Sequence, residues 1–117
     1  MLIQVNTDNH IEGKTSLQDW VRNEVDSSLG RFQPQLTRVE VFLSDVNSHK
    51  KSEVDKQCTV EARWSGLDPI AVTKNSPTVE EALAAALDSM IITLDSRIEK
   101  LRDAKRHSSM GSGGAEI

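Results

Sequence analysis

A seam of apolar residues, Val79, Ala82, Leu83, Ala86, Leu87, Met90, Leu94, Ile98 and Leu101, recurs at spacings of three or four near the end of the chain. That period places them on one stripe of an α-helix. Ser76 offers a cap, Pro77 a first helical position, and Glu80 and Glu81 a negative first turn. Basic residues gather at the far end, so both poles of the helix dipole are matched. Running from Pro77 to about Arg106, such a helix is roughly 45 Å long at ~1.5 Å per residue, longer than the strands it must cover at ~3.3 Å per residue. Its carboxyl end is therefore expected to project beyond the sheet.

Upstream the period changes to two. Ile3 and Val5 alternate with Gln4 and Asn6; Val39, Val41 and Leu43 alternate with Arg38, Glu40, Phe42 and Ser44. Cys58, Val60, Ala62 and Trp64 alternate with Gln57, Thr59, Glu61 and Arg63, and the turn Ser65-Gly66-Leu67-Asp68 leads into a fourth strand over Pro69 to Thr73. Between the first two strands, Leu17, Trp20, Val21, Val25, Leu29 and Phe32 mark a first helix, capped by Thr15 or Ser16 and closed by Gly30 and Pro34. The hydrophilic stretch from Asp45 to Asp55 reads as a loop, and Lys74-Asn75-Ser76 as the break between the last strand and last helix.

The order is β-α-β-β-β-α. Strands with one apolar and one polar face, and two helices to cover the apolar side, predict an α+β fold: a two-layer sandwich of a four-stranded sheet with both helices on one face, similar to double-stranded-RNA-binding domains. A length of 117 residues suits one core. Residues 1–107 are expected to form that domain, and 108–117, with Gly111, Ser112, Gly113 and Gly114, a flexible Gly/Ser tail.

Composition narrows the function. Aromatic residues are 3% of the chain, too few for an extended base-stacking platform. No apolar run approaches the ~20 residues of a membrane helix, and the amino terminus lacks the pattern of a secretory signal. With a single cysteine, Cys58, this points to a cytoplasmic protein. Cys58 alternates with apolar residues and reads as packing. His10, His49 and His107 have no His or Cys partner at metal-ligand spacing. Phosphate-binding glycine loops and nucleophile elbows are absent. Glu80 with Glu81, and Asp45 with Asp55, are explained by a helix amino terminus and a solvated loop. The residues thus point to no enzyme, cofactor, metal or small-molecule substrate.

The net charge of −4 argues against indiscriminate coating of nucleic acid. Its distribution is uneven: the stretch from Arg97 to Arg106 carries +3, leaving −7 elsewhere. On a helical wheel Arg97 and Lys100 flank one side of the seam, Arg102 and Arg106 the other, and Lys105 lies near the seam itself, with Glu99 and Asp103 on the outer face. Spacing alone leaves two readings open, phosphate binding and a solvated helix end. Phe42, on a polar strand face, and Ile92, opposite the seam, are candidate protein contacts.

The sequence over residues 1 to about 107 resembles the ribosome hibernation-promoting factor family, also called ribosome-associated inhibitor A or sigma-54 modulation proteins. The resemblance is carried by Ile3-Gln4-Val5-Asn6, Leu29-Gly30-Arg31-Phe32, Arg38-Val39-Glu40-Val41-Phe42-Leu43, Pro69-Ile70-Ala71-Val72-Thr73-Lys74, and the Ala-rich start and basic end of the last helix. It implies a non-enzymatic factor that occupies the mRNA and tRNA channel of the small ribosomal subunit and holds idle ribosomes inactive. It also implies rRNA contacts at Arg31 and Lys74 and, more loosely, at Arg97, Lys100, Arg102, Lys105 and Arg106. The chain departs from the family where members usually carry Asp-Lys-Leu-x-Arg in the last helix. Here Asp88-Ser89-Met90-Ile91-Ile92 stands, two cations short. Each lost phosphate contact removes one unit of counterion release, so binding is expected to be weaker and more easily lost to salt than in a basic relative. Without a dimerising second domain it would be a short form. The alternative is a protein-binding regulator on the same fold, with Ile92 and Phe42 meeting a protein partner and RNA binding weakened.

Overall fold

The computed structural model describes residues 1–8, 11, 14–45 and 55–112, the side chains of residues 14 and 106–112 excepted. The elements are β1 (Leu2–Thr7), α1 (Lys14–Leu29), a 3-10 turn (Gly30–Phe32), β2 (Leu36–Asp45), β3 (Lys56–Trp64), β4 (Ile70–Ser76) and α2 (Val79–Ser112). They form one sheet in the order β1-β2-β3-β4, with β1 parallel to β2 and the other pairs antiparallel. A parallel pair needs a crossover, which α1 provides; α1 packs over β1, and α2 over β3 and β4. The α+β sandwich expected from the alternation is the fold observed.

The register explains why alternation was so legible. Val5 pairs with Val41, Val41 with Val60 and Val60 with Val72, a valine row across all four strands on the helix-covered face. Around it Val39, Leu43, Cys58 and Ala62 from the sheet join Val21, Val25, Leu29 and Phe32 and, from α2, Leu83, Leu87, Met90 and Leu94 in a single buried cluster. Burial pushes the Cys58 thiol up to about 12, so it packs as a small apolar group, as the alternation suggested. At the start of β2 the register shifts between Leu36 and Arg38. This bulge turns Leu36 inward with Val39 although they are three residues apart, and Thr37 donates its hydroxyl to the Arg63 carbonyl at 3.2 Å. Gly66, at φ 79°, takes the left-handed conformation that the β3–β4 turn requires.

Several element ends differ from the sequence reading. Helix α1 starts at Lys14, so Thr15 and Ser16 lie in its first turn rather than before it. Strand β4 runs on to Ser76, and Lys74, Asn75 and Ser76 pair with Cys58, Gln57 and Lys56 instead of breaking the sheet. Helix α2 is then capped by Thr78, not Ser76. The Thr78 hydroxyl accepts the Glu81 N–H at 3.1 Å and donates to the Glu81 carboxylate at 3.1 Å, a capping-box variant. At its other end α2 continues through Ser112, because each added residue gains a backbone bond at little further ordering cost. The expected boundary at 107/108 thus falls inside the helix, and residues 113–117 lie outside the described ones. Most of the Asp45 to Asp55 loop also lies outside them.

At 34 residues, α2 spans about 51 Å at ~1.5 Å per residue, against about 30 Å for the nine residues of β3. The overhang is visible in the burial of its seam. Leu94 is buried, Ile98 half-buried and Leu101 42% exposed, as expected for a stripe that has run past its sheet. Among the described residues no helix is long and apolar enough to cross a membrane.

Candidate nucleic-acid interface

The body of the fold neutralises its own positive charge. On α1, Arg22 meets Asp19 at 3.5 Å. On the open face of the sheet, Arg38 meets Glu40 at 3.4 Å and Arg63 meets Glu61 at 3.3 Å, while Asn6 donates to Glu40 and Arg38 to Gln4. Strand register puts Glu40 beside Glu61 and Arg38 beside Arg63, so this face is a closed patch of two cations and two anions. At the start of β3, the Lys56 ammonium lies 2.9 Å from Asp55 and 3.3 Å from Asp45. Hydrogen bonding to Asp55 and then Asp45 raises its pKa above the ordinary lysine value, opposed by desolvation.

Arg31 belongs to this neutralised set. It sits in the 3-10 turn after α1, and its two terminal nitrogens donate to both Asp95 oxygens of α2, at 3.1 and 2.9 Å. The guanidinium also stacks over the Phe32 ring, 4.1 Å from its centroid. The bidentate bond raises the Arg31 pKa and holds the Asp95 carboxyl below the usual carboxylate range, the hydrogen bond being the leading cause for each. Both groups are exposed, so an incoming phosphate can compete with Asp95 for the guanidinium.

The cations on α2 are placed differently. Arg97 is half-buried, and Lys100, Arg102 and Lys105 are exposed; none of the four has an ion-pair partner among the described residues. Arg106 lies in the helix, its side chain outside the described ones. Lys74 is also exposed and without an ion-pair partner among the described residues, but it stands apart. It pairs with Cys58, six residues along β3 from Trp64, which is about 20 Å at ~3.3 Å per residue. Trp64 is the end of β3 that borders the α2 overhang, since it shares a groove with Ile98, Leu101, Arg102 and Lys105. The structure therefore gathers Arg97, Lys100, Arg102 and Lys105 on one projecting helix, leaves Lys74 at the other end of the sheet, and brings Arg31 close with its charge already matched.

Asp95 is the residue that sequence reasoning missed, and Glu99, expected on the outer face of the helix, turns out to stand beside it. They line a second groove with Arg31, Phe32, Gln35, Ile98 and Arg102. Their spacing from Arg102 along one flank of the helix was a usable sign that this flank carries both charges. Phe42, 41% exposed, faces outward from the sheet; Ile92, 70% exposed, faces outward from α2. These are opposite outer surfaces of the two layers, so the two residues cannot share one patch. His10 and His49 lie outside the described residues, as does the side chain of His107. Among the described residues no cluster of three His, Cys, Asp or Glu is placed to hold a metal ion.

Residues 3–106 match the family described as Sigma 54 modulation protein / S30EA ribosomal protein. Among solved structures the fold is similar to that of a ribosomal subunit interface protein from Coxiella burnetii, with a TM-score of 0.63 over 85% of this chain and 99% of that one, at 11% sequence identity. No curated protein sequence matches the chain.

Proposed function

This chain belongs to the Sigma 54 modulation protein / S30EA ribosomal protein family, and from that premise we propose that it is a cytoplasmic, ribosome-associated translation inhibitor, a hibernation factor that binds small-subunit rRNA. It acts by occupying the mRNA and tRNA channel, with no covalent step. The observation that carries the reading is the division of positive charge. Every described Arg and Lys side chain of the body except Lys74 is held by a carboxylate, whereas the α2 cations Arg97, Lys100, Arg102 and Lys105 are free for phosphates on a helix that projects past its sheet. The acidic body then turns away from the RNA and the cationic end is steered towards it. Phe42 and Ile92, on opposite surfaces, give the protein-partner alternative no single contact area.

Co-sedimentation with ribosomes and separated subunits across a salt series tests this. Four phosphate contacts correspond to a log–log salt slope of about −3 to −4. The expected result is binding to the small subunit and the intact ribosome with a slope of that order. Absence of binding at low salt, or binding insensitive to salt, refutes it.

The Arg31–Asp95 pair adds a second expectation. Asp95→Asn releases the guanidinium without shortening the side chain, so ribosome affinity should rise and the salt slope steepen by about 0.7–0.9, one additional phosphate contact. Thermal unfolding should hardly move, because exposed ion pairs contribute little to stability. An unchanged slope would mean that Arg31 does not face the RNA.

A further inference from the structure

Two grooves meet along the α2 overhang and share Gln35, Ile98 and Arg102, yet their chemistry differs. In the one that holds Arg31, the cations Arg31 and Arg102 face Asp95 and Glu99 and the charges cancel. The other, about 390 Å³, lies between α2 and the β3–β4 turn. Its walls include Pro34, Trp64, Leu67, Ile98 and Leu101, its charged groups are Arg102 and Lys105, and among the described residues no acidic one lines it. Leu67 is 39% exposed and stands with Leu101 as uncovered apolar surface, while Trp64 closes the floor of the groove from the core side.

We propose that this groove receives one unpaired nucleotide of an RNA strand, its phosphate held by Arg102 and Lys105 and its base packed on Leu67 and Leu101. The proposal rests on the rRNA-binding reading and names the part of the RNA that the overhang takes. The volume suits a single small aromatic ligand. An apolar wall beside two cations that have no ion-pair partner among the described residues matches a nucleotide, which has a flat apolar base and an anionic phosphate. Bases inside an A-form duplex are stacked away from such a wall, whereas unpaired bases can be splayed out onto it.

The test uses Trp20→Phe protein, which leaves Trp64 as the one tryptophan of the two in the chain. A single-stranded RNA oligonucleotide should change Trp64 emission to saturation, and a hairpin duplex of the same composition should not. Adding Leu67→Ser and Leu101→Ser should weaken single-strand binding about tenfold with the salt slope unchanged, since the wall is lost and the phosphate contacts are kept. Both side chains are substantially exposed, so the fold survives, and unchanged thermal unfolding checks it. If the serine variant binds RNA and ribosomes like its parent, the groove is not the nucleotide site and the ribosome reading stands. If the parent itself binds neither, the ribosome reading falls and the groove assignment with it. Trp64 responding to an acidic, leucine-containing peptide but not to RNA would overturn the proposal in favour of a protein ligand.

Discussion

Replacing Lys100, Arg102 and Lys105 together by alanine should lower ribosome affinity about a hundredfold at 0.1 M salt and flatten the salt slope by about 2–3. Each lysine or arginine that neutralises a phosphate contributes about 0.7–0.9 to that slope, and three of them make up most of the unpaired positive charge on the described part of α2. The three side chains are exposed, and alanine is the best helix former, so the variant should unfold near the wild-type temperature. A loss of binding is then a loss of charge and not of fold. Arg22→Ala is the control on the body, removing one charge against three. Arg22 is exposed on α1 and already answered by Asp19, so its removal should leave the slope within error. An effect of the control as large, per charge removed, as that of the triple variant would show that net charge, rather than the position of the overhang, governs binding.

The parts of this protein legible in the sequence are those fixed by local periodicity. In β2 and β3, Val39, Val41 and Leu43 and Cys58, Val60, Ala62 and Trp64 alternate with polar residues because one sheet face is covered and the other is open. The α2 seam was readable for the same reason, including its excess length. What escaped was set by groups distant in sequence or by edges. Strand β4 ends in Lys74, Asn75 and Ser76, an edge segment with little to bury, so no apolar signal marks it. The α2 cap fell to Thr78 because the strand used the residues before it. The Arg31–Asp95 bond joins residues 64 positions apart, which periodicity cannot report. It turned a residue expected to contact rRNA into one whose charge is matched. The nucleotide groove likewise exists only once the β3–β4 turn and the α2 overhang meet.

Where α2 stops being core and becomes a projecting arm can be measured by truncating its seam on either side of that point. Leu94 is fully buried, whereas Leu101, seven residues on, is 42% exposed. Leu94→Ala should cost about 3 kcal/mol in urea unfolding, within the ~2–5 kcal/mol found when a buried leucine is cut back and leaves a cavity. That corresponds to a fall of roughly 12–20 °C in Tm for a domain of this size. Leu101→Ala should cost a fraction of a kcal/mol, as exposed substitutions do. The contrast matters for function because the cations begin at Arg97, just after the last buried seam residue. A helix held by Leu94 presents Lys100, Arg102 and Lys105 on a rigid axis without burying them. The two truncations should therefore separate the roles. Leu94→Ala should reduce the folded fraction and, with it, ribosome binding near its lowered Tm, while the salt slope of the molecules that remain folded stays that of wild type. Leu101→Ala should leave stability intact and weaken binding through the groove alone. If the two substitutions destabilise equally, the overhang is packed against the body, and the cations are part of its surface rather than an arm extended towards RNA.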